Sequence, residues 1–381
     1  MKVWMVKLVK RFQPTETQFL ILLSVFVGAA TGLGAIGFVA LIEYFNGLFF
    51  GLTDQMLTEM VGSAAGVGFK FWLPLIPMLG GLLVGPLVYR FASEAKGHGV
   101  PEVMNAVARL GGIIRARVAA VKALASAICI GSGGSAGREG PIIQIGSAIG
   151  STIGQVFRLA GDRVKILVGC GAAAGISAVF NAPIAGVFFS LEIILGDFAI
   201  KTFAPVIVSS VVASVVSRSV FGNHPAFDVP DYSLVSAWEI PLYAAMGTVL
   251  AFVSVLFTRT LVICETFFER LKITDWTKPA LGGLLLGVIA IFFPQILADG
   301  YQTIRLTLFG EVGIVLMLVL IFAKILATSM TLGSGNSGGI FAPSLFMGAV
   351  AGGAFGYMVH FLFPGVTATP VSYTHLRAHE T

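Results

Sequence analysis

The sequence predicts an all-α protein that crosses a membrane several times, with some of its helices broken inside the apolar layer. Three observations predict it. Hydrophobic residues make up 56% and charged residues 11%, against about a quarter charged in soluble domains, and the mean hydropathy is +0.92. Apolar stretches of spanning length, about 20 residues, recur near 18–45, 70–91, 203–221, 240–263, 279–298 and 313–332. Finally, residues 131–150 (GSGGSAGREGPIIQIGSAIG) and 333–352 (GSGNSGGIFAPSLFMGAVAG) are two copies of one Gly-rich segment. They share Gly131/Gly333, Ser132/Ser334, Gly133/Gly335, Ser135/Ser337, Gly137/Gly339, Pro141/Pro343, Gly146/Gly348 and Gly150/Gly352. Each copy is a glycine stretch followed by a proline suited to a first helical turn. A broken helix repeated in both halves of a membrane protein points to a binding site near the bilayer midplane.

The organisation follows from charge and hydropathy. Residues 1–16 carry Lys2, Lys7, Lys10 and Arg11 with no small-residue cleavage site, and read as a cytoplasmic N-terminal segment. Residues 17–221 form a first membrane repeat and 240–370 a second, incomplete one. The linker 222–239 holds acids and prolines but no Lys or Arg, so it is expected outside. Between 118 and 196 the hydropathy is continuous but cut by Gly, Pro and isolated charges, the profile of short, tilted or re-entrant helices. Arg158, Arg163 and Lys165 mark an inside loop. The net charge of +5 then reflects the positive-inside bias and not a nucleic-acid surface. Cys129, Cys170 and Cys264 offer neither a disulfide framework nor a metal motif, and no cofactor is expected.

A helix that begins inside a bilayer leaves its first N–H groups unpaired, with roughly half a positive charge between them. Unpaired donors are costly in hydrocarbon, and an anion is their natural partner. Amide dipoles attract an anion without trapping it as a full Lys or Arg charge would, which conduction requires. Lys96-Gly97-His98-Gly99-Val100-Pro101-Glu102 is a third Gly-rich turn followed by Pro and a helix. Three such N-termini are expected to converge.

These segments resemble the CLC chloride channel and transporter family. Gly97–Pro101 is similar to that family's GSGIP, with His98 in place of serine. Gly137-Arg138-Glu139-Gly140-Pro141 matches its GREGP, and Gly339-Ile340-Phe341-Ala342-Pro343 its GxFxP. Phe180-Asn181-Ala182-Pro183 and Lys122 fit as well, and the likeness runs from about residue 20 to 365. The resemblance implies a CLC-type inverted-repeat fold and a homodimer in the cell (plasma or inner) membrane, with one chloride pathway per subunit. It implies Glu139 as a gating carboxylate that competes for the anion site, and His98, Gly99, Arg138, Gly140, Ile340 and Phe341 as anion-site residues. The alternative for Glu139 is a structural ion pair with Arg138 or a distant base.

The departures matter. His98 is larger than serine and gains charge near neutral pH, so it either tunes anion selectivity or points away and caps a helix end. Exchangers of the family commonly carry two acids after the Asn-Ala-Pro segment, the second relaying protons. Here Glu192 is followed by Ile193, which carries none. This pattern favours a passive channel; the alternative is a proton-coupled antiporter using Glu139 and Glu192, or transport of another anion. Glu192 also fits a buried structural acid. The family places a late-helix tyrosine at the anion site; nothing before Pro370 matches it.

No enzyme is expected. GSGGSAGREG lacks the Gly-Lys-Ser/Thr ending of a phosphate loop. Ser132 and Ser135 lack a nucleophile elbow, with only His98 placed to serve them. The last residues, 371–381 (VSYTHLRAHET), are polar and aperiodic and resemble one reading frame of a sequencing-library adapter, so they read as foreign. The encoding nucleotides test this: codons unlike the adapter make the segment native.

Overall fold

A computed structural model describes residues 16–51, 72–227, 236–365 and 367. The N-terminal segment before residue 16, the middle of the linker and the segment 371–381 lie outside the described residues. In chain order the helices are α1 (Glu16–Asn46), α2 (Leu75–Phe91), α3 (Val100–Arg109), α4 (Arg117–Gly131), α5 (Glu139–Val156), α6 (Gly161–Phe180), α7 (Pro183–Phe189), α8 (Ile200–Phe221), α9 (Glu239–Arg270), α10 (Lys278–Phe292), α11 (Tyr301–Leu308), α12 (Ile314–Gly333) and α13 (Phe341–Leu362). Among the described residues, seven spans, two of them extended by flanking turns, are long and apolar enough to cross a membrane. The protein is thus an all-helical, multi-pass membrane protein.

The region 118–196 divides into α4 to α7, as its interrupted hydropathy predicts. The stretch expected to span over 279–298 stops at Phe292. Pro294 cannot extend a helix and opens a single 3₁₀ turn, Pro294–Ile296, instead.

The chain packs as two compact units. The first comprises Met1–Gly37, Val100–Ala120 and Ile142–Ala226; the second comprises Phe38–Gly99, Val121–Pro141 and Phe227–Thr381. In the first unit the start of α1 (Leu20, Leu23, Val27) buries against Leu167 and Cys170 of α6, Leu191 and Val206. Its helix α8 begins beside Asp197, whose carboxylate accepts the Ala199 N–H (2.9 Å) and the Thr202 hydroxyl (2.8 Å). Those donors hold the Asp197 carboxyl below its usual range.

The second unit carries most of the duplication, which extends further back than the Gly-rich segments. Pro77-Met78-Leu79-Gly80-Gly81-Leu82-Leu83-Val84-Gly85 in α2 returns as Pro279-Ala280-Leu281-Gly282-Gly283-Leu284-Leu285-Leu286-Gly287 in α10, at the interval that separates Gly131 from Gly333. The contacts between the copies are exchanged, each position meeting the counterpart of its partner. A Cβ on Gly81 would strike the Pro279 carbonyl, and one on Gly283 the Pro77 carbonyl. Gly85 lies against Trp276 and Gly287 against Pro74 in the same crossed manner, so α2 and α10 run antiparallel about a local two-fold axis. Ser126 and Ser337 share a hydroxyl hydrogen bond (2.9 Å), and their counterparts Thr328 and Ser135 share another (3.0 Å). With no hydrophobic drive between helices in lipid, such close backbone approach is what holds them together.

The same symmetry governs two fully buried lysines. Lys122 Nζ donates to the carbonyls of Ala95 (3.1 Å) and Gly97 (2.7 Å). Lys324 Nζ donates to those of Ile296 (2.9 Å) and Ala298 (3.0 Å). Each lysine thereby fixes the turn ahead of a short helix, the pairs Gly97/Ala298 and Gly99/Gly300 all taking positive φ.

Gly81→Ala and Gly283→Ala are expected to lower the thermal unfolding midpoint of detergent-purified protein, overpacking costing about 1–3 kcal/mol. Gly37→Ala, where an added Cβ meets nothing within 4 Å, is expected to be neutral or stabilising.

Candidate functional site

The two Gly-rich copies meet at equivalent residues. The Gly137 N–H donates to the Gly339 carbonyl (2.8 Å), and the Gly339 N–H returns a bond to the Gly137 carbonyl (2.6 Å). This reciprocal pair lies on the local axis and sets the starts of α5 and α13 side by side. Beside it, Gly97 donates to the Asn336 carbonyl (3.1 Å) and accepts from the Gly338 N–H (3.2 Å), so the Gly97–Gly99 turn joins the same cluster. The equivalent turn of the second copy docks through the Ala298 N–H on the Gly133 carbonyl (3.1 Å).

Glu139 stands at the centre, only 1% exposed. Its Oε2 accepts the Ala342 N–H in the first turn of α13 (3.3 Å), and its Oε1 accepts the Tyr301 hydroxyl (2.5 Å). A carboxylate therefore occupies the end of a broken helix, where the free N–H groups and the dipole favour negative charge. The seat is shaped by what is missing: a Cβ on Gly137 would overlap Glu139 Oε2 and lie 3.1 Å from the Ala342 nitrogen. Gly140 packs on the His98 carbonyl and on Gly339 Cα, 3.0 Å from where its Cβ would be.

The site residues expected from sequence fall as follows. His98 is half-buried between Gly97 and Gly99, both at positive φ, with its carbonyl against Gly140. Arg138 does not neutralise Glu139 as a simple ion pair. Its guanidinium lies over the Tyr301 ring, 4.6 Å from the centroid, and its Nε is 4.0 Å from Asp299 Oδ2. Ile340 precedes α13 and Phe341 opens it, and the amide of the next residue, Ala342, reaches the carboxylate. Glu192 and Ile193 lie in the first compact unit, in the π-helical turn Ser190–Leu195, and both are exposed. Burial of Glu192 as a structural acid is thereby corrected: its turn buries Leu191 and Ile194 instead.

Two residues at the site were not anticipated, Tyr301 and Asp299. A tyrosine hydroxyl does reach the carboxylate, from the start of α11 and not from a late helix. The signal was the repeat itself. Carried upstream past Lys122 and Lys324 and shifted by one residue, it pairs Gly97-His98-Gly99-Val100 with Ala298-Asp299-Gly300-Tyr301, as the shared positive φ of Gly97/Ala298 and Gly99/Gly300 requires, and marks a fourth helix start.

A buried carboxylate seated on a broken helix, within a frame of duplicated antiparallel helices, defines a multi-pass membrane protein organised around paired helix N-termini. Comparison with known proteins names the family. Residues 80–376 match the family profile described as voltage gated chloride channel. The chain is 34% identical over 303 residues to a Ralstonia nicotianae protein named putative chloride channel protein ClcB-like, covering 78% of this chain and 71% of that one. It is 30% identical over 366 residues to the H(+)/Cl(-) exchange transporter ClcA of Vibrio campbellii, covering 93% and 76%. Among solved structures it superposes on a slow cyanobacterial Cl−/H+ antiporter with TM-score 0.82 at 24% identity, over 93% of this chain and 83% of that one. A CLC-type fluoride/proton antiporter gives TM-score 0.75 at 21% identity, over 95% and 85%. The chain belongs to the voltage-gated chloride channel family, the CLC proteins.

Gly137→Ala is expected to push Glu139 off the Ala342 amide. The carboxylate infrared band assigned to Glu139, isolated by difference from Glu139→Gln, is expected to shift in this variant.

Proposed function

We propose that the chain is a proton-coupled anion exchanger, with chloride the first anion to test. The observation that carries this is the position of Glu139. Its carboxylate sits on the α13 amide, where a halide would find its donors, so one seat accepts either a tethered or a free anion. A carboxylate that leaves such a seat on taking up a proton links proton binding to anion binding at a single point. Relatives named H(+)/Cl(-) exchange transporters support exchange over the passive conduction that Ile193 favoured.

In this proposal His98, Gly99, Gly140, Ile340 and Phe341 line the anion's route, and Arg138 supplies positive potential beside it. Glu139 is the outer proton carrier. Glu192, exposed on the single chain, is the first choice for proton entry at the other end, since Ile193 cannot serve. The protein works as a homodimer in the cell membrane with its N-terminus inside, one pathway per subunit. Passive chloride conduction is the second reading, favoured by Ile193 and by the relative named a putative chloride channel protein.

The test is reconstitution into liposomes with a chloride gradient at clamped membrane potential. Uphill proton movement is expected, and Glu139→Ala is expected to abolish it while chloride flux persists. Chloride flux without protons in the unmodified chain would establish the second reading. If neither ion moves, the chloride assignment fails, and fluoride and nitrate gradients are the next to try.

A further inference from the structure

Tyr301 is placed more carefully than an aromatic packing residue needs to be. Its backbone is fixed on three sides. Lys324 holds the preceding turn through the Ile296 and Ala298 carbonyls, Ala298 is bonded to Gly133, and Asp299 Oδ1 accepts the Tyr301 N–H (3.2 Å). Its ring is fixed as well. The Arg138 guanidinium covers it at 4.6 Å, Asp299 faces that guanidinium, and Phe227 packs against it with centroids 4.8 Å apart. All this restraint aims one hydroxyl at one carboxylate oxygen, at 2.5 Å. That is the length of a charge-assisted O–H···O⁻ bond, a strong kind. The bond exists only while Glu139 stays in its seat as an acceptor. When the side chain swings out the bond is lost, and the pre-oriented phenol cannot follow.

We propose that Tyr301 is the latch of the CLC gate in this chain: its hydroxyl holds the Glu139 carboxylate on the α13 amide, and breaking that bond limits turnover. Arg138 and Asp299 are positioning residues that keep the ring on target. The proposal rests on Glu139 acting as the movable gate. A hydrogen bond to a charged group biases an equilibrium by about tenfold to a hundredfold, so removing it empties the seat far more often.

Tyr301→Phe keeps the ring, with its Arg138 and Phe227 contacts, and deletes the hydroxyl. In liposomes it is expected to raise chloride turnover about threefold to tenfold. It is also expected to lower the half-saturating chloride concentration, because the tethered competitor is weakened. In a Glu139→Ala background, with nothing left to latch, the same substitution is expected to change neither quantity. Asp299→Asn, which leaves the ring but weakens the pull on Arg138, is expected to shift both in the same direction by less. It stands in if Tyr301→Phe is not monodisperse. Calorimetric titration of detergent-solubilised protein with chloride provides a readout without transport, with tighter binding expected for Tyr301→Phe.

Equal effects of Tyr301→Phe with and without Glu139 would overturn the latch in favour of a change in pathway shape. Unchanged turnover and unchanged chloride affinity would overturn it outright. Either result is compatible with chloride flux and proton coupling in the unmodified chain, so the latch can fail while the exchange proposal stands. Failure of the unmodified chain to move or bind any anion removes both.

Discussion

The structure depends on how amide groups freed by breaking a helix inside a bilayer are satisfied. No water is present there to accept or donate, so each interrupted segment must find partners within the protein. The reciprocal pair between Gly137 and Gly339 settles two donors and two acceptors at once. Because the partners are the same position of the two copies, this bond also fixes the axis on which α2 and α10 cross and on which the serine and threonine hydroxyls exchange partners. One donor that the pair does not satisfy is the Ala342 N–H at the head of α13, and Glu139 takes it. Backbone satisfaction and the functional carboxylate are in this sense one problem.

Much of this was legible beforehand. Composition and span length require a multi-pass helical protein, and the Gly-x-x-x-Pro segments mark where helices break. Glu139 could be named because Gly137-Arg138-Glu139-Gly140-Pro141 resembles a CLC motif, and an acid in an apolar field fits that role. What stayed hidden has a common cause. Tyr301 and Ala342 reach the carboxylate from elements far away in sequence, Asp299 acts on it only through Arg138 and Tyr301, and a tyrosine after Asp-Gly carries no chemical signature of its own. The LGGLL segments of α2 and α10 were equally plain in the letters. Read for hydropathy, however, they are merely two apolar spans, and only their crossed contacts show why the glycines recur.

For the proposed proton coupling, the sequence and the relatives point in different directions. Ile193 removes a titratable group from one place, yet coupling needs only that a proton and an anion compete at one seat and that the proton has some way in. The relatives named as exchangers favour that looser requirement. Exposure of Glu192 in its π-helical turn leaves an acid in contact with the surroundings one residue from the isoleucine.

The local two-fold axis has one further consequence. A passage generated by an inverted duplication is, to the extent that the copies agree, the same entered from either end. Scaffold pairs such as Lys122/Lys324 and Gly137/Gly339 therefore contribute nothing to direction. Rectification and sidedness can arise only where the copies have diverged. Within the site those places include Glu139 opposite Phe341, Arg138 opposite Ile340, Gly140 opposite Ala342, His98 opposite Asp299 and Val100 opposite Tyr301. On the proposed function, polarity in this chain would be written in those differences, laid over a frame whose two copies otherwise match.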